Sequence, residues 1–276
     1  MKKVAAIHDL SGFGKSSLTV VIPILSCMGI QVCPVPTAVL STQTDGFEGY
    51  SFLDLTENMR SYLGHWDRLG LCFDSVYTGY LGSHEQIEII KPFITQQREA
   101  GSVILIDPVL GDNGSLYNGM TEEMVRVMRE FISEAGIITP NLTEAGFLLD
   151  EAPVFDDLGD TERYIRKFKL ITEASVIITS AGIGGKYYNI CYDRNIDEVY
   201  RIEFEMQKIG YPGSGDTFSS ILLGKLLQTG DLTLATFFAT NKTNRMLKET
   251  VGRGTEPREG IPVEEYLHDL MKDDIL

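Results

Sequence analysis

The sequence predicts an α/β fold: a mostly parallel central sheet, helices flanking it, and an antiparallel pair of strands late in the chain. The parallel part follows from alternation, because short apolar β-rich runs are separated by longer segments whose apolar residues recur every three or four positions. Strands joined through helices lie parallel in one sheet. The late pair follows from residues 187–191 and 199–205, two strand-like runs read as antiparallel neighbours.

In chain order, strands are expected at 4–7, 75–78, 103–106, 136–139 and 176–179. A helix over 16–28 follows the first strand, and helical spacing recurs over 83–100, 121–135 and 161–173. Thr121 followed by two glutamates begins its helix with a cap and first-turn acids. Segments 217–227 and 234–247 read as the closing helices, and 151–160 as an acidic loop. No repeat, low-complexity tract or linker interrupts the pattern, so residues 1–276 are expected to form a single domain.

Composition narrows the function. Hydrophobic residues at 43% and charged residues at 23% of 276 suit a chain with a substantial core. A formal net charge of -15 with no Lys/Arg run argues against nucleic acid, whose phosphates need several cations at once. A nucleotide remains compatible, since backbone N–H groups, a helix N-terminus and a metal ion can supply local positive potential. Four cysteines lack paired spacing and the N-terminus starts directly as a strand, which leads to the expectation of a reduced, cytoplasmic protein. No apolar run approaches the ~18 residues that span a bilayer, so no membrane partner is expected.

Chemistry is concentrated where the strands end. His8-Asp9, Thr78-Gly79-Tyr80, Asp107-Pro108, Thr139-Pro140-Asn141 and Thr179-Ser180 close five strands. In an open parallel sheet such ends face one crevice. One such end is a common turn or cap; five favour a site. Gly213-Ser214-Gly215-Asp216 leads into the helix that follows it, where glycines let unpaired N–H groups approach an anion. Asp216 there can take the proton of an attacking hydroxyl or serve as a first-turn acid, and spacing alone leaves both open. Asn141 and Glu144, three apart, can address a metal together or form a capping pair. Gly12-Phe13-Gly14-Lys15-Ser16 lacks the first glycine of a phosphate-binding P-loop, Asp9 standing in its place, so it reads as the start of a helix. The four histidines have no metal-ligand spacing and are assigned no chemistry.

Gly-x-Gly-Asp opening a late helix, preceded by Asn141-Leu142-Thr143-Glu144, resembles the ribokinase superfamily. Within it, Thr78-Gly79-Tyr80-Leu81-Gly82, Asp107-Pro108-Val109-Leu110-Gly111-Asp112 and Ile138-Thr139-Pro140-Asn141 are similar to pyridoxal (vitamin B6) kinases over nearly the whole chain. The resemblance implies a ribokinase-like three-layer fold and transfer of phosphate from ATP to the hydroxymethyl group of a B6 vitamer. It implies Asp216 as base with Gly213, Ser214 and Gly215 as the anion hole, and Asp107, Asp112 and Glu144 around magnesium. Asp112, Tyr117, Asn141, Thr179, Ser180, Gly213 and Gly215 would then contact the nucleotide, with 112–119 as a lid. Asp9, Ser11, Gln43, Thr44 and Tyr80 would line the vitamer pocket.

Two departures fall in that pocket. Asp9-Leu10-Ser11 stands where the family usually has Ser-His, and Ser41-Thr42-Gln43-Thr44 where it often has Ser-Asn-His-Thr. An amide and a carboxylate there suit an ammonium group, so pyridoxamine is expected to be used comparatively well. The resemblance further implies a homodimer and leaves any monovalent-cation requirement open. Rival readings are a hydroxymethylpyrimidine kinase and a nucleotide-binding regulatory protein without catalysis.

Overall fold

A computed structural model describes residues 1–151, 155, 157 and 159–271. Its first unit is β1 (Lys3–Phe13), α1 (Leu18–Cys27) and β2 (Gln31–Thr42), followed by the short β3 (Phe52–Asp54) and α2 (Thr56–Arg68). Next come β4 (Ser75–Thr78), α3 (His84–Glu99) and β5 (Val103–Ile106), then a small hairpin of β6 (Gly111–Asp112) and β7 (Ser115–Leu116). The chain continues through α4 (Glu122–Phe131), β8 (Ile137–Ile138), α5 (Leu142–Leu149), α6 (Gly159–Phe168) and β9 (Ser175–Ile183). It finishes with β10 (Lys186–Asp193), β11 (Glu198–Phe204), α7 (Ser214–Thr229), α8 (Leu232–Arg253) and α9 (Leu267–Leu270). The expected acidic loop at 151–160 lies partly outside the described residues.

Nine strands form one sheet in the order β11-β10-β9-β8-β5-β4-β1-β2-β3. From β2 to β9 every pairing is parallel, while β3, β10 and β11 are antiparallel to their neighbours. Both faces are covered, as a parallel sheet requires. Along β1 the side chains alternate between two cores: Ala5 and Ile7 join one with α2 to α6, and Val4 and Ala6 join the other with α1, α7, α8 and α9. That alternation is the period of two expected of a strand buried on both sides. The mostly parallel sheet, flanking helices and late antiparallel pair are therefore as the sequence reading had them.

Sequence reasoning passed over β2, β3 and α2. Pro34 and Pro36 interrupt the β2 run, yet β3 pairs only with Ala38–Leu40, so these prolines face an open edge where their missing N–H groups cost no ladder bond. β1 also continues beyond the predicted residue 7 to Phe13, and its register against β2 shifts between His8 and Leu10. The extra residue lies on β2, so that Asp9 faces both Thr37 and Ala38.

Helix ends follow local chemistry. Ser83, Thr121 and Asp231 each accept the N–H three residues on, capping α3, α4 and α8. α4 ends earlier than the predicted residue 135, tightening into a 3-10 turn over Ile132–Glu134. Among the described residues no helix is long and apolar enough to cross a membrane.

One buried side chain ties this frame to the strand ends. Gln86 on α3 donates Nε2–H to the Thr37 carbonyl and the Thr56 hydroxyl, 3.0 Å each, and its Oε1 accepts the Gly82 N–H at 2.8 Å. Replacing it with leucine leaves three partners unsatisfied, so Gln86→Leu should destabilise the protein by roughly 1–3 kcal/mol. Urea unfolding checks this, and a midpoint equal to that of the parent would contradict it.

Candidate active site

The parallel register brings the predicted strand ends into one row. Ile7 pairs with Thr78, Thr78 with Ile106, Ile106 with Ile138, and Ile138 with Val176. The residues just beyond, His8, Gly79, Asp107 and Thr139, therefore stand side by side at the carboxyl edge. Ladder bonds extend into this row, from the Gly79 N–H to Ile7 and from the Asp107 N–H to Thr78.

The N-terminus of α7 faces the row. Gly213 takes φ 77° ahead of the helix, and a Cβ there would lie 2.2 Å from the Lys15 carbonyl oxygen, so both conformation and space demand glycine. Gly215 is exposed, with open space where a side chain would be. The first turn of α7 thus offers backbone N–H groups that have no intrahelical acceptor, although that of Ser214, expected in the anion hole, is already given to the Tyr211 carbonyl at 3.2 Å. Asp216 follows in that turn, its side chain 14% exposed, with Oδ2 accepting the Ser17 N–H at 2.8 Å and Oδ1 3.8 Å from His8 Nδ1. The Gly-Lys-Ser segment that fails as a phosphate loop thereby serves to brace α7.

Three acids share the crevice. Asp107 is buried and accepts the Ser219 hydroxyl at 3.1 Å, and Ser219 also lies 3.1 Å from the Thr139 hydroxyl. Burial, reinforced by the charge of Asp216, pushes Asp107 up to about 8. Asp216 is raised to about 6 by burial; the Ser17 N–H opposes the rise and Asp9 adds to it. Glu144 is 3% exposed, and burial and then Asp107 push it well above the ordinary carboxylate range.

The Asn141–Glu144 pair forms a full capping box. Asn141 Oδ1 accepts the Glu144 N–H at 2.9 Å, and Glu144 Oε2 accepts the Asn141 N–H at 2.8 Å. Glu144 Oε1 also accepts the Leu110 N–H at 3.0 Å, so the residue fixes the segment leading to the hairpin. In that hairpin Asn113 and Gly114 take φ 51° and 79°, as a tight two-residue turn requires. Asn141 Nδ2 donates to the Gly111 carbonyl and the Gly114 N–H to the Thr143 hydroxyl, which dock the hairpin on α5. Asp112 is exposed on it, and its carboxylate accepts from the Asn113 backbone and amide. Tyr117 follows; partial burial, then the charges of Glu144, Asp112, Asp107 and Asp216, push its hydroxyl upward.

Thr179 bridges to Asn141 and donates its N–H to the Pro140 carbonyl. Ser180, exposed at φ 60°, donates its N–H to Asn189 Oδ1 at 3.0 Å. Asp9, whose charge acts on Asp216, is buried and accepts the Ser11 hydroxyl at 2.9 Å. Burial raises Asp9, against hydrogen bonds from Ser17 and Ser11. Tyr80 is pushed up to about 12 by burial and then by Asp9, Tyr50 and Asp54.

The structure thus gathers Asp107, Glu144, Tyr117 and Asp216 in one cluster, with Asp9, Ser11 and Tyr80 adjoining. No hydrogen bond joins Gln43 or Thr44 to that cluster among the described residues. The Gln43 amide is committed to the backbone of Asp45 and Arg258, and Thr44 lies exposed in the next turn. Sequence reasoning missed His8, Ser17 and Ser219 as neighbours of the acids. Only His8 gave a signal, its place at the end of a strand. Among the described residues no three His, Cys, Asp or Glu side chains form a ready metal cage. Oxygen donors at the strand ends suit a hard cation that shares its shell with phosphates and water.

Comparison with known proteins gives related small-molecule kinases over most of the chain. Residues 25–259 match the model described as phosphomethylpyrimidine kinase. A crystal structure from Bacteroides thetaiotaomicron, a putative phosphomethylpyrimidine kinase in a form with pyridoxal, superimposes with a TM-score of 0.93 at 45% identity, covering 98% of this chain and 96% of that one. The pyridoxal kinase of Lactobacillus plantarum superimposes at 0.88 with 28% identity, covering 98% and 97%. A putative pyridoxal kinase of Schizosaccharomyces pombe is 27% identical over 56% of this chain, which spans about half, 47%, of that relative.

Carboxyls raised in the folded state bind protons that the unfolded chain has already released. With Asp216 near 6 and Asp107 near 8 against 3.8 in the free side chain, stability should fall as pH rises from about 4 to about 8. Without divalent cations the melting temperature should drop by about 5 °C or more across that window, and Asp107→Asn should flatten the slope. Calorimetry in metal-free buffers tests this; a melting temperature that climbs with pH would mean that these acids are not buried as described.

Proposed function

Because the chain belongs to the phosphomethylpyrimidine kinase family, we propose that it transfers the terminal phosphoryl group of ATP to the hydroxymethyl group of a B6 vitamer, pyridoxal, pyridoxine or pyridoxamine. The observation that carries this reading is the position of Asp216, in the first turn of α7 with its carboxylate turned to the strand ends. Raised to about 6, it is ionised at neutral pH yet basic enough to receive a proton.

In this reading the vitamer ring lies against Asp9, Ser11 and Tyr80, with Gln43 and Thr44 closing the rim. Asp9 is then the group left to meet an ammonium substituent, since the Gln43 amide is already engaged. ATP lies along the ends of β8 and β9, against Asn141, Thr179 and Ser180, with Asp112 and Tyr117 of the hairpin segment covering its phosphates. Asp216 takes the hydroxymethyl proton as the oxygen approaches phosphorus in line. Backbone N–H groups of Gly213 and Gly215 hold the charge that develops on the transferred group, and Ser214 adds its own only by giving up the Tyr211 carbonyl. Magnesium, when bound, neutralises charge on the phosphates, and Asp107, Asp112 and Glu144 would hold it directly or through water.

The same reading takes residues 1–276 as one kinase domain working in the cytoplasm, consistent with four free thiols. It takes the working unit as a homodimer. Leu10, Val39 and Leu53 are paired in register across β1, β2 and β3 and are exposed by 36%, 37% and 59%. Phe13 and Phe52 stand exposed on the same three strands. Such a row suits burial against a second copy. Leu53→Glu should yield monomers in light scattering; a dimer that persists would place the interface elsewhere.

A second reading, a pyrimidine substrate, is suggested by the description of the matching family model, which names phosphomethylpyrimidine; hydroxymethylpyrimidine is the form of that ring with a free hydroxymethyl acceptor. Turnover of MgATP with the three vitamers and hydroxymethylpyrimidine, with and without potassium, separates the two. A B6 vitamer should give the highest kcat/KM. Asp216→Asn should lower kcat by roughly a hundredfold or more with vitamer binding within a few-fold of the parent. Near-parent turnover by a folded Asp216→Asn protein would remove Asp216 from the base role.

A further inference from the structure

His8 is wholly buried on β1, just beyond the last residue paired with β4; the Tyr77 backbone lies near its ring, yet neither ring nitrogen makes a hydrogen bond of good geometry with a protein group. Fully buried polar side chains are seldom left in that condition, because each unpaired donor or acceptor loses its water without replacement. The ring stands edge-on to Tyr77, with centroids 4.3 Å apart, and fills a slot that exists only because residue 79 is glycine. A Cβ at Gly79 would lie 2.2 Å from His8 Nδ1. That same nitrogen is 3.8 Å from Asp216 Oδ1. The other carboxylate oxygen is already taken by the Ser17 N–H, presented from a backbone at φ 50°, a left-handed conformation that a serine adopts only when its surroundings hold it there.

From this geometry we infer that His8 is a positioning residue for Asp216: its Nδ1–H donates to Oδ1 when substrate draws the first turn of α7 inward, so that imidazole and Ser17 amide together fix the carboxylate toward the acceptor hydroxyl. The gap of 3.8 Å is too long for a hydrogen bond, and such catalytic contacts often tighten only in the substrate complex. Burial holds His8 down to about 3. The ring is therefore neutral at working pH and acts as a donor, while a proton taken from substrate stays on Asp216 rather than passing to the imidazole. This rests on Asp216 being the base, and it adds a residue whose scattered sequence position suggested no chemistry.

Amide substitutions separate orientation from packing, because asparagine can place its N–H near the position of Nδ1 and glutamine near that of Nε2. His8→Asn should retain kcat within about fivefold of the parent, whereas His8→Gln and His8→Leu should lose tenfold or more, with KM for ATP and for the vitamer changed by less than threefold. Coupling to Asp216 should appear as non-additivity: His8→Leu should cost little further in an Asp216→Asn background. If leucine, the better core packer, matches or exceeds asparagine, His8 is a filler and the inference fails. Should His8→Leu not fold, as melting and gel filtration would report, the asparagine-to-glutamine order decides alone, and glutamine equal to asparagine overturns the proposal. Full activity in the Asp216→Asn single variant would instead overturn the base assignment, a different result from an active His8→Leu enzyme beside an inactive Asp216→Asn one.

Discussion

Like charges crowded at the carboxyl edge of a parallel sheet are the constraint around which this protein is arranged. Burial raises all three acids, the charge of Asp107 adds to the rise of Glu144, and that of Asp216 adds to the rise of Asp107. Isolated buried carboxylates would be costly. Here each is supplied with donors: the Ser219 hydroxyl for Asp107, the Asn141 and Leu110 amides for Glu144, and the Ser17 amide for Asp216. The residual strain is electrostatic, and it is the property that suits the crevice to a cationic metal and to a proton acceptor of intermediate basicity.

Glycine at a few positions makes that arrangement geometrically possible. Gly213 lets the loop before α7 touch the Lys15 carbonyl, and Gly260 lies against the same residue, where a Cβ would come within 2.7 Å of its oxygen. The Lys15 N–H also donates to the Glu259 carbonyl, so segments far apart in sequence are fastened around residue 15. The N-terminus of α1 is thereby brought to the carboxylate of Asp216 in the first turn of α7. Gly79 does the equivalent for His8 from the neighbouring strand.

Structure and the proposed chemistry share residues at the start of α5. Asn141 and Glu144 complete a capping box and also hold the hairpin that carries Asp112, so the metal reading and the capping reading are not exclusive. A substitution at Glu144 would disturb α5 and the hairpin together, and loss of activity there would not by itself identify a metal ligand.

The sequence by itself determined the alternation of strands and helices, the late antiparallel pair, and the strand-end residues that meet at one edge, because hydrophobic period and local turn chemistry are written in consecutive residues. Ser75–Thr78 and Val103–Ile106 begin and end where that pattern places them. It also held the family motifs, since Gly213 to Asp216 and Asn141 to Glu144 are contiguous. Tertiary structure alone decided what lies between segments. Proline concealed β2 until its open edge was visible, the bulge opposite Asp9 arose from pairing with β2, and Gln43 spent its amide on Arg258, 215 positions away. The contacts of Asp216 with Ser17 and His8 cross about two hundred residues, as does the contact of Gly213 with Lys15. Such contacts depend on how helices seat on a twisted sheet, and no local pattern of side chains encodes that distance.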